Sequence, residues 1–274
     1  MLVKQTILWL VLGSVLSLSV TAVAWAGGQI YDYDRDADSE IVATGVLLFG
    51  LGYLAQRSFA PLTFAEIEAL DPQELPVWDR GAVDNWSPGK ARASDYLLTT
   101  SLAAPVVLML GSSGRDQAGV IGVMYLESYL LNSGLTFLMK NAFARPRPFA
   151  YSDNPDISQE LKMSATARRS FPSGHTSTTF ASLVFLATVH SRLNPGSSSN
   201  GWVWGGCLAA AATTGYLRYA SGWHFPTDIL AGATIGAFAG WVVPQIHEWD
   251  SAVADPVTKS QPSGQTRIGF SLAF

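Results

Sequence analysis

The stretch RRSFPSGHTSTTFASLVFLATVH, residues 168–190, contains a helix start and the apolar helix that follows it. A proline and Ser173 stand where the helix begins, and an apolar run continues it. A helix N-terminus presents unpaired backbone N–H groups and the positive end of the helix dipole, so Ser173 and Gly174 form a candidate anion site. His175 follows in the first turn, where an imidazole can donate a proton near neutral pH.

A second block, KNAFARPRP, covers residues 140–148. It places Lys140 at the end of an apolar helix, before two Arg-Pro pairs. The compact charge of a lysine and the planar fork of Arg147 can together hold three oxygens of a tetrahedral anion. The prolines fix φ and keep the arginines out of a helix. Taken alone, the block also suits a solvated basic loop.

A third block, RYASGWHFPTD, covers residues 218–228. His224 and Asp228 are four residues apart at a helix start, so the carboxylate can fix one imidazole nitrogen and leave the other free to attack. Arg218 adds a guanidinium. Taken alone, this histidine could equally be structural. Together the three blocks predict phosphoryl transfer by an anion cradle and an oriented histidine, with no metal and no cofactor.

The composition excludes several classes of protein. The chain has 274 residues, of which 48% are hydrophobic and only 14% charged, and its net charge is −4. Soluble domains average near 25% charged residues, so a disordered chain and a coiled coil are excluded. The negative charge leaves no basic footprint for nucleic acid. The single cysteine, Cys207, excludes an intramolecular disulfide and is expected to be a small buried residue.

The first 26 residues have the pattern of an export signal. Lys4 precedes an apolar run, and Ala24-Trp25-Ala26 is a small-x-small cleavage site. An uncleaved membrane anchor is the alternative. We therefore expect residues 1–26 to be a signal peptide and residues 27–274 to form a single domain, whose motif core is 94–247.

Hydrophobic patterning predicts an all-α fold, a helical bundle of about six core helices. The predicted helices are 41–56, 94–111, 116–140, 174–191, 202–217 and 228–247. Thr63 and Glu66 resemble a capping box that opens a short helix, and Ser94 is the predicted cap of the second core helix. The tail 267–274 alternates apolar and small residues, which predicts a short C-terminal strand that pairs near residues 30–33.

Most apolar runs are short for a membrane span. Fifteen residues reach ~22 Å as a helix, against a hydrocarbon core of ~30 Å. Only 118–139 is long enough, and it contains Glu127 and Asn132. These lengths favour an exported globular domain in the periplasm or cell envelope, where it can contact a membrane surface. The low charge content keeps open an integral inner-membrane protein with an outward-facing site.

The three blocks resemble the signature of the type-2 phosphatidic acid phosphatase superfamily, which includes class A acid phosphatases and vanadium haloperoxidases. The family pattern is Lys, six residues, Arg-Pro; then Pro-Ser-Gly-His; then Ser-Arg, five residues, His, three residues, Asp. This sequence departs from it at Leu217, where the family usually has serine. The matching residues are Lys140, Arg147, Pro148, Pro172, Ser173, Gly174, His175, Arg218, His224 and Asp228.

The resemblance implies a role for each matching position. His224 attacks phosphorus and forms a phosphohistidine, while Asp228 orients it. His175 protonates the leaving alkoxide and then activates water. The phosphoryl oxygens are bound by Lys140, Arg147, Ser173, Gly174 and Arg218. The family fold is a helical bundle with the site at one end, and membrane members have six spans and carry the site on the outer side.

The implied function is hydrolysis of phosphate monoesters, either lipid phosphates or small phosphate esters. A lipid pyrophosphate phosphatase or a lipid phosphotransferase of the envelope is the alternative. A vanadate-dependent haloperoxidase or a non-catalytic envelope scaffold fits less well. The sequence does not identify the leaving group. Arg145, Arg168 and Arg169 are extra cations beside the blocks, and His190 and His247 are expected to be structural.

Overall fold

The computed structural model describes residues 30–57 and 59–248. Within these ranges the fold is all-α, as predicted, and no named strand occurs. Six long helices form the bundle. They are α1 (Arg35–Arg57), α2 (Pro88–Ala103, continued after a short break by Val106–Leu110), α3 (Ala118–Phe143), α4 (Gly174–Leu193), α5 (Ser199–Ala220) and α6 (Pro226–Ile246).

Short helices lie in the long connections between these six. The α-helical ones are Phe64–Glu68, Val77–Arg80, Pro148–Tyr151 and Gln159–Lys162, and the 3-10 turns are Pro72–Glu74, Arg115–Gln117 and Ala165–Arg168. The predicted capping box is confirmed, since the Thr63 side chain accepts from the Glu66 N–H and the Glu66 carboxylate accepts from the Thr63 N–H.

Two predicted helix starts were wrong. Helix α1 begins at Arg35, because acidic residues in its first turn suit a helix N-terminus and extend it beyond the apolar run. Helix α2 begins at Pro88 rather than at Ser94, with Ser87 as its N-cap accepting from the Lys90 N–H. Proline in the first helical turn favours this start. The Ser94 hydroxyl instead donates to the carbonyl of Ala91 inside the helix.

Helices α4 and α6 pack with almost no space between their backbones. A Cβ atom added to Gly236 would lie 2.0 Å from the carbonyl oxygen of Ser177. Gly232 and Gly240, one turn to either side, face the carbonyls of Ser173 and Ala181 at 2.5 and 2.3 Å in the same way. This contact fixes the starts of the two helices next to each other.

The segments between the bundle helices cover one end of the bundle. Leu62, Phe149 and Ile157 are buried in one cluster, against which Trp86 and Trp223 pack. Phe149 makes edge contacts with both tryptophan rings, at centroid distances of 6.3 and 5.4 Å. This layer lies over the helix ends that carry the three sequence blocks.

The proposed signal peptide 1–26 and the predicted strand 267–274 lie outside the described residues. Residues 30–33, the predicted partners of that strand, do form a β-type pairing, but they pair with the residues that follow α6. Tyr31 forms an isolated antiparallel bridge with Glu248, and the Asp32 N–H donates to the carbonyl of His247 at 2.8 Å.

Three described helices are long and apolar enough to cross a membrane. They cover Arg35–Gln56, Pro88–Leu110 and Pro226–Ile246, with 22, 23 and 21 residues. The prediction that only residues 118–139 are long enough to span a membrane was wrong. Each of these three helices continues through flanking polar residues, which a count of the apolar run leaves out. Apolar side chains also point outward from these helices, such as Leu51 and Leu230, which are 65% and 68% exposed.

The glycine contact generates a prediction about stability. We expect Gly236→Ala to destabilise the fold by about 1–3 kcal/mol, because the added methyl group has no space between the α4 and α6 backbones. Thermal unfolding of the purified chain measures this. Gly205→Ala on α5 is the matched control, since nothing lies within 4 Å of its added Cβ. Equal melting temperatures for the two variants would contradict the prediction.

Candidate active site

The structure brings the three blocks together at one end of the bundle. Helices α3 and α5 end there, and α4 and α6 begin there. The Ser173 N–H donates to the carbonyl of Asp228 at 2.9 Å, which joins the first block (168–190) to the third. His175 keeps 27% of its side chain exposed and Gly174 is partly buried. The other predicted site residues are buried: Lys140, Arg147, Ser173, Arg218, His224 and Asp228.

The His224 ring lies between a carboxylate and a guanidinium. Its Nδ1 is 3.5 Å from Oδ2 of Asp228, and its Nε2 is 3.5 Å from Nη1 of Arg147. Burial, followed by the positive charges of Arg147, Lys140 and Arg218, holds the pKa of His224 well below its usual range. The imidazole is therefore neutral near pH 7, and its Nε2 faces the cations.

Besides His224, three other groups contact the Asp228 carboxylate and donate hydrogen bonds to it. Oδ2 accepts from the Ser170 hydroxyl at 2.5 Å and from the Phe225 N–H at 2.9 Å, while Oδ1 accepts from Nη1 of Arg145 at 2.6 Å. Nη2 of Arg145 also pairs with the fully buried Asp79 at 2.8 Å. Arg145 thus bridges two buried carboxylates and fixes Asp228 in place.

Sequence reasoning missed Ser170 and Asp79 as parts of this arrangement. Ser170 lies inside the first quoted stretch, residues 168–190, so its position was a usable signal. Asp79 lies in the helix Val77–Arg80, far from every block, and Thr227 contacts it through both its N–H and its hydroxyl, at 3.1 and 2.7 Å. No local pattern around Asp79 marks that pairing.

Two guanidinium groups lie against the Trp223 ring. The Cζ atoms of Arg147 and Arg218 are 4.7 and 4.8 Å from its centroid. Arg147 donates from Nε to the carbonyl of Thr166, and Arg218 donates from Nη1 to the Ser94 hydroxyl. Nε of Arg218 is buried without a hydrogen-bond partner.

Burial disfavours the positive charges of these two arginines, and a bound anion would compensate for that cost. Burial and the charge of Arg218 lower the pKa of Arg147 to about 9, and burial lowers that of Arg218 to about 10. Both groups are still charged at neutral pH. Buried positive charges of this kind favour a bound anion, and a guanidinium fork matches the oxygens of a phosphoryl group.

Lys140 and Ser173 hold the helix-start loop. The Lys140 ammonium donates to the carbonyls of Arg169 and Pro172 at 2.9 and 2.5 Å, and its Cε would lie 3.7 Å from a Cβ on Gly174. The Ser173 side chain accepts from the Thr176 N–H as the N-cap of α4. Both side chains therefore position the loop as well as lying beside the candidate anion site.

His175 pairs with Asp95, a residue that sequence reasoning also missed. His175 Nε2 is 2.8 Å from Oδ1 of Asp95, and Nη1 of Arg218 is 3.7 Å from the same oxygen. Burial and the Arg218 charge lower the pKa of His175 to about 4, while Asp95 acts in the opposite direction. An acid at the start of the apolar run in α2 was the only signal in the sequence.

The other cations beside the blocks make separate contacts. Arg168 pairs with Glu66, and Arg169 donates to the carbonyl of Gln56. Both tie the helix-start loop to the covering segments and to the end of α1.

This geometry can be set against known proteins. Residues 121–252 match the family model described as the PAP2 superfamily, and this range contains all three blocks. These residues are therefore similar to the PAP2 superfamily. The resemblance found in the sequence is confirmed on this point.

Several proteins similar to this chain are named lipid phosphatases. A lipid A 1-phosphatase of Rhizobium etli is 31% identical over 47% of this chain and 52% of its own length. A probable lipid phosphate phosphatase of Arabidopsis thaliana is 33% identical over 43% of this chain and 44% of its own. A lipid A 4'-phosphatase of Bacteroides thetaiotaomicron is 29% identical over 44% and 53%. The chain spans about half the length of these relatives.

A solved structure is also similar to this chain. The crystal structure of a transmembrane PAP2-type phosphatidylglycerolphosphate phosphatase from Bacillus subtilis matches with a TM-score of 0.48 and 20% identity. The match covers 74% of this chain and 94% of that one.

Proposed function

We propose that this chain is a phosphatase that hydrolyses phosphate monoesters through a phosphohistidine on His224. The observation that carries the proposal is the placement of His224, with Nδ1 towards Asp228 and Nε2 towards Arg147. The PAP2 match and the names of the relatives support the same class of reaction. The buried cations supply the charge that phosphoryl transfer requires.

The first step forms the covalent intermediate. The lone pair on Nε2 of His224 attacks phosphorus as the bond to the ester oxygen breaks. The negative charge of the bound phosphoryl group raises the pKa of His175, so that His175 binds a proton in the substrate complex and gives it to the departing alkoxide. Asp228 stabilises the positive charge that develops on the His224 ring. Arg147 and Arg218 bind the phosphoryl oxygens, together with the start of α4.

The second step releases phosphate. His175, now neutral, takes a proton from water, and the water oxygen attacks phosphorus as the bond to Nε2 of His224 breaks. Inorganic phosphate leaves, His224 is neutral again and His175 carries the proton needed for the next cycle. The two histidines therefore act in sequence on opposite sides of one phosphorus atom.

We propose a phosphorylated lipid as the substrate, with small phosphate esters as poorer ones. Two observations support a lipid: the relatives are named for lipid A and lipid phosphate, and apolar side chains are exposed along helices long enough for a membrane. A lipid pyrophosphate is the alternative substrate, and transfer to an alcohol acceptor is the alternative reaction.

Removal of the nucleophile tests the reaction. We expect His224→Ala to lower hydrolysis of both phosphatidic acid and p-nitrophenyl phosphate by about 10³-fold or more, because no other side chain replaces the Nε2 attack. Quenched turnovers of the unaltered chain should contain an acid-labile, base-stable phosphorylated protein that His224→Ala lacks. His190→Ala is the matched control, since His190 lies in the last turn of α4, far from the helix-start loop.

Assays on different phosphate esters test the proposed substrate and the proposed reaction separately. Hydrolysis of an isoprenyl pyrophosphate in preference to phosphatidic acid would replace the proposed substrate and keep the mechanism. Absence of phosphate release from every ester by the folded chain would end the proposal.

Asp95 gives a prediction for the pH profile. Asp95 raises the pKa of His175 against burial and Arg218, so Asp95→Asn lowers that pKa in the substrate complex too. The protonated acid is then lost at a lower pH. For an alkyl phosphate we expect the alkaline limb of the kcat profile to move down by about one pH unit.

The leaving group supplies the control for Asp95. p-Nitrophenolate departs without much help from a proton, so its kcat profile should keep its alkaline limb in Asp95→Asn. Identical profiles for the variant and the unaltered chain on the alkyl phosphate would show that Asp95 does not position the acid.

We also propose that the chain is an integral membrane protein with its site on the outer side. Helices α1 and α3 run parallel, since Gly45 and Gly52 contact Leu130 and Phe137 in turn. Both helices then run towards the site, whereas α6 runs away from it. The start of α1 and the end of α6 therefore lie on the side opposite the site.

This topology constrains the proposed signal peptide. If α1 spans the membrane, an outward-facing site requires the start of α1 on the inner side. Cleavage after residue 26 would place that start on the outer side, so we propose that residues 1–26 are not cleaved and that, where they cross the membrane, they begin on the outer side.

Fractionation tests the membrane proposal. We expect the chain to stay in the membrane pellet after a carbonate wash, because three helices expose apolar surface. Intact spheroplasts should hydrolyse added p-nitrophenyl phosphate, and mass spectrometry of the purified chain should find residues 1–26. Release by carbonate, or activity that appears only after lysis, would contradict it.

A further inference from the structure

A second buried polar cluster lies away from the active site. Asp38 in the first turn of α1, Glu127 in α3 and His247 at the end of α6 are only 4%, 1% and 5% exposed. Nε2 of His247 is 3.1 Å from Oδ1 of Asp38 and 3.2 Å from Oε2 of Glu127. Glu127 precedes Lys140 by more than three helical turns, about 20 Å along α3.

The tautomer of His247 directs a lone pair into this cluster. Its Nδ1 lies 3.0 Å from the carbonyl oxygen of Val243. A carbonyl only accepts, so Nδ1 carries a proton, and in the neutral ring Nε2 carries the lone pair. That lone pair and two carboxylates converge on one point, where they repel one another unless a positive species lies between them.

The carboxylates lack other partners. Both oxygens of Glu127 and Oδ2 of Asp38 are buried without a hydrogen bond. In the described part of the chain, no lysine or arginine pairs with either residue. Burial of an unpaired carboxylate is costly. A proton on His247 balances one negative charge, whereas a divalent cation balances both.

The geometry and the donor types suit such an ion. The ligand atoms of the three residues lie within 4.8 Å of one another. The distances of 3.1 and 3.2 Å approach the spacing of about 3.3 Å between ligands of a tetrahedral zinc ion with bonds near 2.0 Å. One imidazole nitrogen and two carboxylate oxygens form a donor set that Zn²⁺ accepts readily.

We propose that Asp38, Glu127 and His247 form a structural binding site for a divalent transition-metal ion such as Zn²⁺. The ion joins three helices, α1, α3 and α6, that lie far apart along the chain. The surrounding backbone prepares the site, because the carbonyl of His247 accepts from the Asp32 N–H and Glu248 pairs with Tyr31. The site is separate from the proposed phosphoryl transfer, which uses no residue of this cluster.

Zinc content and thermal stability test the proposal on the full chain in detergent. The chain is first treated with a chelator and then equilibrated with Zn²⁺. We expect elemental mass spectrometry to find one zinc ion per chain. At a hundredfold excess over Kd we expect a rise in Tm of about 5 °C or more. Co²⁺ in place of Zn²⁺ should give visible d–d absorption from a bound nitrogen and oxygens.

Variants identify the ligands. Glu127→Gln and His247→Gln keep the side-chain size, and each should weaken zinc binding by at least about a hundredfold, which removes most of the rise in Tm at that zinc concentration. Asp38→Asn serves if either variant fails to fold. His190→Gln is the matched control, because His190 faces the Ser199 hydroxyl and should leave zinc binding unchanged.

Several outcomes overturn the proposal. They are zinc content well below one per chain, equal zinc content in Glu127→Gln and the control, or an unchanged Tm on addition of Zn²⁺. The last outcome indicates a cluster held by a shared proton. Phosphatase activity of the chelated chain does not enter the decision, so failure here is distinct from failure of the proposed function.

Discussion

The geometry of the active site depends on one buried ion pair, between Arg145 and the carboxylate of Asp228. A carboxylate with no exposed surface is stable only if donors surround it. Arg145, Ser170 and the Phe225 N–H supply those donors at 2.5–2.9 Å. His224, at 3.5 Å, is a weaker partner than any of them. Asp228 is therefore held in place by its own donors, and the His224 ring lies against a carboxylate whose position does not depend on it.

The close contact of α4 with α6 makes this arrangement possible. The glycines of α6 let two backbones approach to distances that a side chain would prevent. As a result the start of α4, with His175, and the start of α6, with Asp228, share one small volume. Burial lowers the pKa of both histidines and of Arg147, because each group has lost water without gaining a full set of hydrogen-bond partners. In the absence of a bound anion the histidines are therefore neutral, and the charge of Arg147 is poorly compensated. A bound phosphoryl group, as proposed above, would supply the negative charge and the hydrogen-bond acceptors that these arginines lack.

The sequence was sufficient for the fold class and for the convergence of the three blocks. These succeeded because apolar periodicity and the chemistry of an anion cradle are local patterns. Asp79 and Asp95 were out of reach, because each lies far along the chain from its partner and no short pattern encodes such a pairing. The length of α1 and α2 was misjudged for a related reason: a helix continues through polar residues when capping and packing support it, as at Ser87 and Pro88.

The indole of Trp223, which contacts both Arg147 and Arg218, has a consequence for how their donors are placed. Both guanidinium groups rest on this one rigid ring at nearly equal distances, 4.7 and 4.8 Å from its centroid. The position of the indole therefore restrains both sets of donors at once, and a smaller side chain at this position would release both arginines together. Tetrahedral oxyanions such as vanadate or sulfate have dimensions close to those of phosphate, so they are the natural competitors for this space.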